Sequence, residues 1–244
     1  MSVNDGLPDA CASSFGNEHF LADSRPMQGI SSDTNRMDEM YRYQRYFYDV
    51  TRKAYLLGRD HMIASLDVPV DGSVLEVGCG TARNLIRTAI SFPKANCYGF
   101  DLSEQMLITA RSNVEKKSLS DRMIIAQADA TKFDPVETFG QNGFDRVFVA
   151  YSLCIIPDWE LALDRSFRAV KPGGSLHLVD FGEQERLPRL FRSALRTWLR
   201  QFGVFPQKDM DAELRRRLDG QYFNFEFESI YRGYAYHAII SRKN

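Results

Sequence analysis

The spacing of hydrophobic and polar positions divides the chain into a polar leader, a helical segment and a long alternating region. Residues 1–36 are rich in Ser, Asp, Asn and Gly without a sustained period, which predicts a flexible leader. Between residues 37 and 66, aromatic and apolar side chains recur at three- and four-residue steps, which predicts helix. A turn at Pro69, Asp71 and Gly72 then closes a helical segment over residues 37–70.

From residue 71 to 244, short apolar runs alternate with amphipathic runs, which predicts an α/β domain whose mostly parallel sheet carries helices on both faces. The link between the last two runs is too short for a crossover helix, so these strands are predicted to form an antiparallel C-terminal hairpin. The seven predicted strands are Ser73–Val77, Asn96–Phe100, Met123–Gln127, Phe144–Tyr151, Ser175–Phe181, Tyr222–Phe227 and Tyr234–Ser241. The predicted helices are about Ala82–Phe92, Glu104–Lys117, Trp159–Val170 and Arg186–Phe202.

Composition and charge exclude several classes of function. Lys and Arg number 31 and Asp and Glu 32, so the net charge is −1 and no overall basic field recruits nucleic acid. The four cysteines are too scattered for a disulfide framework or a CxxC zinc site. No apolar run approaches the ~20 residues of a membrane span, and the first residues lack a signal-peptide pattern. We therefore expect a soluble cytoplasmic protein with no nucleic-acid partner.

The candidate chemistry begins with VLEVGCGTARNL, residues 74–85, where a strand runs into a glycine bend and then a helix. Glycine lets the backbone turn sharply and approach a ligand closely, and the helix start offers free N–H groups. Glu76 ends the strand, where open α/β sheets bind ligands, and suits a ligand with hydroxyls or an ammonium. Gly78 and Gly80 are followed by Ala82 and Arg83, so this is not the dinucleotide fingerprint G-x-G-x-x-G.

Two more acids follow the next two predicted strands. Asp101 ends YGFD, where a carboxylate can accept both hydroxyls of a ribose, and Asp129 follows the third strand in QADA, where it can meet an adenine amine. Each acid alone could equally be a helix cap or a turn residue. Three acids after three successive strands, with Glu76 as the first, favour one ligand site at one edge of the sheet.

These residues, with the closing hairpin, resemble class I S-adenosylmethionine-dependent methyltransferases, and the likeness covers roughly residues 70–244. It implies a Rossmann-like fold, S-adenosyl-L-methionine as cofactor, a glycine loop around its methionine half, ribose at Asp101 and adenine at Asp129. Many members have a third glycine where this chain has Ala82, the mildest replacement. With these residues, the predicted cofactor contacts are Arg59, Glu76, Gly78, Cys79, Gly80, Asn84, Asp101, Leu102, Met106, Asp129, Ala130 and Tyr151. Leu102 and Met106, which would flank the adenine, could equally be core.

The run MYRYQRYFYDVTRKAYLLGRDHMI, residues 40–63, together with the glycine loop, is similar to the methyltransferases of bacterial betaine-lipid synthesis. This likeness implies three methylations of the amine of diacylglyceryl-homoserine. It also implies a partner, the 3-amino-3-carboxypropyl transferase that acts one step earlier. The alternative is a methyltransferase for phosphatidylethanolamine or another small amine. A group that recognises the homoserine carboxylate, such as Arg52 or Arg59, would distinguish the two.

The many aromatic side chains near the expected site favour an amine substrate. Methylation turns the amine into a cation, and each aromatic face can stabilise a bound cation by ~0.5–2 kcal/mol. We predict catalytic contacts from Tyr41, Tyr48 and Tyr151; the first two are seven residues apart and share a helical face. The class resemblance implies that the helical segment over residues 37–70 lies over the cofactor pocket as a lid. The alternative for each tyrosine is a packing role against the sheet.

The segment RLPRLFRSALRTWLRQFGVF, residues 186–205, carries an apolar stripe beside five arginines with no acid until beyond Lys208. This composition is typical of a helix lying on an anionic membrane surface. A helix that covers a sheet also needs an apolar stripe, and its arginines would then simply be solvated. With a lipid substrate, we favour peripheral contact with the inner face of the membrane.

Other functions on the same fold stay open. A non-catalytic module that only senses the cofactor would bind it without methyl transfer. A nicotinamide dehydrogenase is disfavoured by the glycine pattern and by the terminal hairpin. No pair of His or Cys residues has metal-ligand spacing, so we expect no metal. No cysteine lies in a motif with a histidine and a carboxylate, which disfavours cysteine nucleophile chemistry.

Overall fold

The computed structural model describes residues 55–218 and 223–243, which form a seven-stranded sheet with helices on both faces. The strand order is β3-β2-β1-β4-β5-β7-β6. The strands are β1 (Ser73–Val77), β2 (Asn96–Asp101), β3 (Met123–Gln127), β4 (Phe144–Ala150), β5 (Val170–Phe181), β6 (Phe223–Ile230) and β7 (Ala235–Arg242). The helices are α1 (Arg59–Ala64), α2 (Arg83–Ser91), α3 (Glu104–Lys116), α4 (Pro135–Phe139), α5 (Trp159–Arg168), α6 (Arg189–Gln201) and α7 (Met210–Leu218).

Strands β1 to β5 run parallel, and β7 pairs antiparallel with both β5 and β6. The predicted fold class and the C-terminal hairpin are therefore confirmed. The chain order reverses between β1 and β4, which lie side by side in the sheet. In open α/β sheets the crevice at such a reversal, beyond the carboxyl ends of the strands, is where ligands bind.

Two apolar layers, one on each face of the sheet, form the core. Strand β1 contributes to both, because Val74 belongs to one layer while Leu75 and Val77 belong to the other. This alternation follows from the two-residue period of a strand, and it explains why the parallel strands read as nearly continuous apolar runs. Packing of both layers keeps the parallel strands in fixed register. The residues that directly follow the strands therefore have defined positions at the carboxyl edge of the sheet.

The helix predicted through residue 66 is interrupted where the structure describes it. Tyr55 is helical, Leu56 to Gly58 form a turn, and α1 begins only at Arg59. Gly58 has a φ of 86°, in the left-handed region, and a Cβ there would lie 2.5 Å from a methyl carbon of Ile230. Periodicity does not reveal this break, because apolar spacing continues across it. Residues 1–54, which hold the predicted leader and most of the predicted lid, lie outside the described residues.

Smaller differences from the predicted elements have local causes. Helix α6 begins at Arg189 and not at Arg186, because Pro188 occupies its N-cap position in an extended conformation. Helix α4 was not predicted; the Asp134 carboxylate caps its first turn, and Gly140 ends it at a φ of 65°. Among the described residues, no helix is long and apolar enough to cross a membrane.

Candidate functional site

The glycine bend after β1 contains left-handed backbone at three alternate positions. Gly78, Gly80 and Ala82 have φ values of 70°, 53° and 61°. A Cβ at Gly78 would lie 2.7 Å from the Cβ of Ser152, so only glycine fits. Ala82, the residue that replaces the third glycine of the class, adopts the left-handed conformation directly before α2. The bend leaves a cradle of backbone against which a ligand can lie closely.

Asp101, the last residue of β2, is tied to the bend. Its Oδ2 accepts a hydrogen bond from the Gly80 N–H at 2.8 Å, and its Oδ1 accepts one from the Ser103 N–H at 3.0 Å. The side chain is partly exposed, and each carboxylate oxygen has a second lone pair. The carboxylate is therefore oriented by the backbone and can still accept both hydroxyls of a ribose.

Asp129 lies two residues beyond β3, at the same edge of the sheet as Asp101, because β2 and β3 are parallel. Its Oδ1 accepts hydrogen bonds from the N–H and hydroxyl of Thr131, which lower the pKa of its carboxyl. Lys132 Nζ lies 3.7 Å from the other oxygen. Asp129 thus shapes the turn that carries Ala130, and its contact with an adenine stays a prediction.

Apolar side chains flank Asp101 at this edge. Leu102 is 68% exposed, and Met106 in the first turn of α3 is partly buried. The alternative that Leu102 belongs to the core is wrong, because most of its surface faces solvent. An exposed leucine beside an oriented carboxylate suits the flat apolar face of a base.

Glu76 is buried within β1 and not open at the mouth of the strand. It is 1% exposed, and its two oxygens accept hydrogen bonds from Asn84 Nδ2 and from the Leu85 N–H, each at 3.0 Å. Asn84 in turn accepts from Arg59 Nη1 at 3.5 Å. Glu76 therefore fastens the start of α2 to β1, and it acts on the glycine bend through Asn84 and Leu85.

Burial raises the pKa of Glu76 to about 8, while the hydrogen bonds from Asn84 and Leu85 and the charge of Arg59 act in the opposite direction. The native protein therefore holds a proton that an unfolded Glu, with its ordinary pKa of 4.5, releases. Since the native state binds more protons in this window, its stability falls as the pH rises from about 4.5 to about 8, by at most about 1.4 kcal/mol per pH unit from this group.

Replacing Glu76 by Gln should remove most of that dependence, because the amide does not ionise. We expect the free energy of unfolding of the cofactor-free protein, from urea titrations across this pH window, to fall less steeply for Glu76→Gln than for the parent. Glu115→Gln, an exposed change on α3, is the matched control and should keep the parental slope. Equal slopes in all three proteins would contradict a buried proton on Glu76.

Arg59 and Tyr151 meet at the turn before α1. Arg59 is 5% exposed, and its Nε donates to the Leu56 carbonyl at 3.0 Å. The Tyr151 hydroxyl donates to the Leu57 carbonyl, and burial raises the pKa of Tyr151 well above its usual value. Both side chains hold the turn in place, beside Asn84 and the glycine bend. Their contacts with cofactor or substrate stay predictions, and Tyr41 and Tyr48 lie outside the described residues.

Two cysteines of the described region, Cys79 and Cys97, are buried in the glycine bend and in β2. Cys79 lies inside the glycine bend, where its N–H donates to the Phe100 carbonyl at 2.8 Å and fixes the bend to β2. Burial raises the pKa of the Cys79 thiol well above its usual value and that of Cys97 to about 12. Thiols that stay protonated are poor nucleophiles, in agreement with the sequence-based expectation.

Sequence reasoning did not select Asp180, the second-last residue of β5, in the run LHLVDF. The side chain is 4% exposed, accepts from the Phe181 N–H at 2.7 Å and the Cys154 N–H at 3.1 Å, and so joins β5 to the loop after β4. Burial raises its pKa to about 6. The signal that selected Asp101, an acid at the end of an apolar strand, is present here too.

Helix α6 combines a packed side with an exposed basic and apolar side. Leu199 is buried and Trp198 packs at 4.8 Å on the ring of Tyr55, so the helix covers the sheet, as one interpretation of its stripe predicted. Leu190 is nonetheless 88% exposed and Phe191 53% exposed. A groove of about 290 Å³ beside them is lined by Arg189, Arg192, Ser193, Arg196, Thr197 and Arg200. We call Arg189, Leu190, Phe191, Arg192 and Arg200 the α6 surface.

Comparisons with known proteins agree with this geometry. A family model described as a methyltransferase domain matches residues 74–174. Demethylmenaquinone methyltransferase of Listeria welshimeri is 29% identical over 167 residues, 67% of this chain and 68% of that protein. A S-adenosylmethionine-dependent methyltransferase from Aquifex aeolicus has a similar structure, with a TM-score of 0.57 at 18% identity over 78% of this chain and 92% of that one.

A further solved structure, Haemonchus contortus phosphoethanolamine N-methyltransferase 2 in complex with S-adenosyl-L-methionine, has a TM-score of 0.60 at 18% identity and covers 76% of this chain and 52% of that one. At such identities the two solved structures establish a shared fold. The methyltransferase-domain match over residues 74–174, the glycine bend and the oriented Asp101 are the features expected of an S-adenosylmethionine-dependent methyltransferase. The chain is an enzyme of this class with S-adenosyl-L-methionine as cofactor, as predicted.

Proposed function

We propose that the protein transfers methyl groups from S-adenosylmethionine to the amine of diacylglyceryl-homoserine and produces the trimethylated betaine lipid. The observation that supports a membrane-held substrate is the α6 surface, which offers exposed apolar side chains and arginines beside the cofactor edge. The loop after α6 reaches that edge, since the Phe205 N–H donates to the Cys154 carbonyl at 2.9 Å. Among described residues, no ion pair involves Arg189, Arg192 or Arg200, so their charges are available to anionic lipid.

The residues of the site fit the cofactor. The glycine bend provides a cradle that a Cβ at Gly78 would fill, and Asp101 is oriented to accept ribose hydroxyls. The chemistry supplied by the bound cofactor is a methyl group on a sulfonium, available for in-line transfer to a nitrogen lone pair. The chain aligns the reactants and excludes water, which can contribute about 7–11 kcal/mol.

No general base is required for this reaction if the site selects the neutral amine, since desolvation already disfavours the charged form. The Tyr151 hydroxyl donates to the Leu57 carbonyl, so its proton is committed to a structural bond. The ring of Tyr151 lies edge-on to Phe181 at 4.8 Å within the buried apolar layer, so it holds its position by packing.

The likeness of residues 40–63 to betaine-lipid methyltransferases supports homoserine as the head group, with Arg59 as the partner for its carboxylate. A phosphatidylethanolamine methyltransferase is the nearest alternative, and the Haemonchus neighbour acts on a related amine by its name. We also propose that the enzyme works at the inner face of the membrane, after a 3-amino-3-carboxypropyl transferase has supplied the lipid amine.

A second candidate comes from the relatives by sequence, which are named demethylmenaquinone methyltransferases. Such an enzyme methylates a ring carbon of a membrane quinone and not an amine. The α6 surface suits both substrates, because each is held in a lipid bilayer. The two candidates therefore differ in the nucleophile and share the location.

The experiment that separates them offers one acceptor at a time in otherwise identical anionic vesicles: diacylglyceryl-homoserine, phosphatidylethanolamine or demethylmenaquinone. The cofactor carries a trideuterated methyl group, and mass spectrometry identifies the labelled lipid. We expect label on the homoserine amine in up to three copies. Label on the quinone alone, or on phosphatidylethanolamine alone, would replace the proposal by that activity.

A further inference from the structure

In the part of the chain that the structure describes, the side chains of two histidines and one glutamate lie close together. None of the three residues is among those assigned to the cofactor. His61 lies on α1, Glu228 on β6 and His237 on β7. Glu228 and His237 are direct cross-strand partners, so both side chains project from the same face of the hairpin. One ligand atom from each of the three residues lies within 4.8 Å of the other two.

This spacing is close to that of ligands around one metal ion. Two donors bound to a tetrahedral zinc ion at 2.0–2.1 Å lie about 3.3 Å apart. His61 Nε2 is 3.5 Å from Glu228 Oε2, nearly at that separation. The His61 and His237 ring centroids are 5.2 Å apart with their planes nearly perpendicular, and the His61 side chain is 51% exposed.

The environment of His237 supports binding of a metal. The residue is 4% exposed, and its ring centroid lies 6.0 Å from that of His177, so the surrounding fold fixes its position. The Ser65 hydroxyl lies 3.4 Å from His237 Nε2 and donates to the Met62 carbonyl at 2.8 Å, which restrains the ring. Such outer contacts orient histidine ligands in metal sites.

We propose that His61, Glu228 and His237 bind one Zn²⁺ ion, with water at the remaining position. Nitrogen and carboxylate donors together suit zinc, whereas Ca²⁺ and Mg²⁺ prefer sites made of oxygen. The ion would fasten α1, which begins with Arg59 beside Asn84, to the terminal hairpin. This proposal replaces the expectation of no metal, which rested on sequence spacing alone, and it is independent of the lipid substrate.

The test uses the full chain without a tag, dialysed against a chelator and then titrated with ZnCl₂ by calorimetry. We expect one Zn²⁺ per chain, a higher melting temperature with Zn²⁺ present, and no competition from Mg²⁺ or Ca²⁺. His61→Ala and Glu228→Gln should each weaken binding at least about tenfold and remove the thermal shift. Both side chains are largely exposed, so the fold should tolerate these changes.

Glu226→Gln is the matched control, because Glu226 is exposed on the same strand and face as Glu228 but lies outside the cluster. It should bind Zn²⁺ as the parent does. Zinc uptake that His61→Ala and Glu228→Gln leave unchanged would place the ion elsewhere, on cysteine for example, and would overturn the proposal. The absence of any uptake by the parent would overturn it as well.

Discussion

Replacing Asp101 by Asn should lower the affinity for S-adenosylmethionine by about a hundredfold or more. The carboxylate is oriented by the N–H groups of Gly80 and Ser103 and is expected to accept two ribose hydroxyls. Each hydrogen bond to a charged group contributes about 1.5–3 kcal/mol, and about 2.7 kcal/mol corresponds to a hundredfold in the dissociation constant. Calorimetric titration of the folded variant measures the effect, with Asp101→Ala as a second variant.

Asp121→Asn is the control for this experiment. Asp121 is exposed and precedes β3, so it lies at the opposite edge of the sheet from Asp101 and carries the same charge. We expect it to bind the cofactor with parental affinity. If Asp101→Asn also kept parental affinity, with circular dichroism showing an intact fold, Asp101 would not be a cofactor ligand.

Replacing Arg189, Arg192 and Arg200 together by Gln should weaken binding to anionic vesicles by about a hundredfold, since each basic residue near such a surface contributes about 1 kcal/mol. The binding that remains should also depend less on salt, because fewer charges are screened. Vesicle sedimentation across a range of salt concentrations gives both quantities. Arg196 is left in place because it donates to Gln184 Oε1 at 3.2 Å and to the Glu183 carbonyl at 2.7 Å, and so supports the fold.

The matched control replaces Lys94, Lys116 and Lys117 by Gln. These lysines are exposed and lie away from α6, and the change in net charge is the same. If net charge alone determined binding, both triple variants would lose the same vesicle affinity. That result would contradict a specific role for the α6 surface. Adding Leu190→Ser to the parent should weaken binding separately, through the loss of an 88% exposed apolar side chain.

The sheet could be predicted from sequence because its signals are local. Each parallel strand is a short apolar run, and Asp101 and Gly78 stand at strand ends, where the topology of any such sheet places them together. The same reasoning identified Glu76 as a candidate site residue, but it did not predict that the Glu76 side chain is buried. Whether a carboxylate at the end of a strand faces a ligand or is buried against Asn84 depends on how α2 packs, which no local pattern records.

The sequence pattern could not predict features that depend on contacts between distant parts of the chain. The break at Gly58 results from the packing of that turn against Ile230, 172 residues later. His61 and His237 meet only because the terminal hairpin lies beside α1. For α6, amphipathic spacing predicted a helix, but it could not determine how much of the apolar stripe the sheet covers; Leu199 is buried and Leu190 is not.

The site's location can be measured directly by following backbone amide signals of the isotopically labelled protein during titration with S-adenosylmethionine. We expect the largest shifts at Gly78 and Gly80, at Leu102 and Ser103, and at Ala130, all at the carboxyl edge of β1, β2 and β3. Amides at the opposite edge, such as that of Asn96, should not move. Shifts confined to that opposite edge, or no shifts at saturating cofactor, would contradict a nucleoside held by the glycine bend and Asp101.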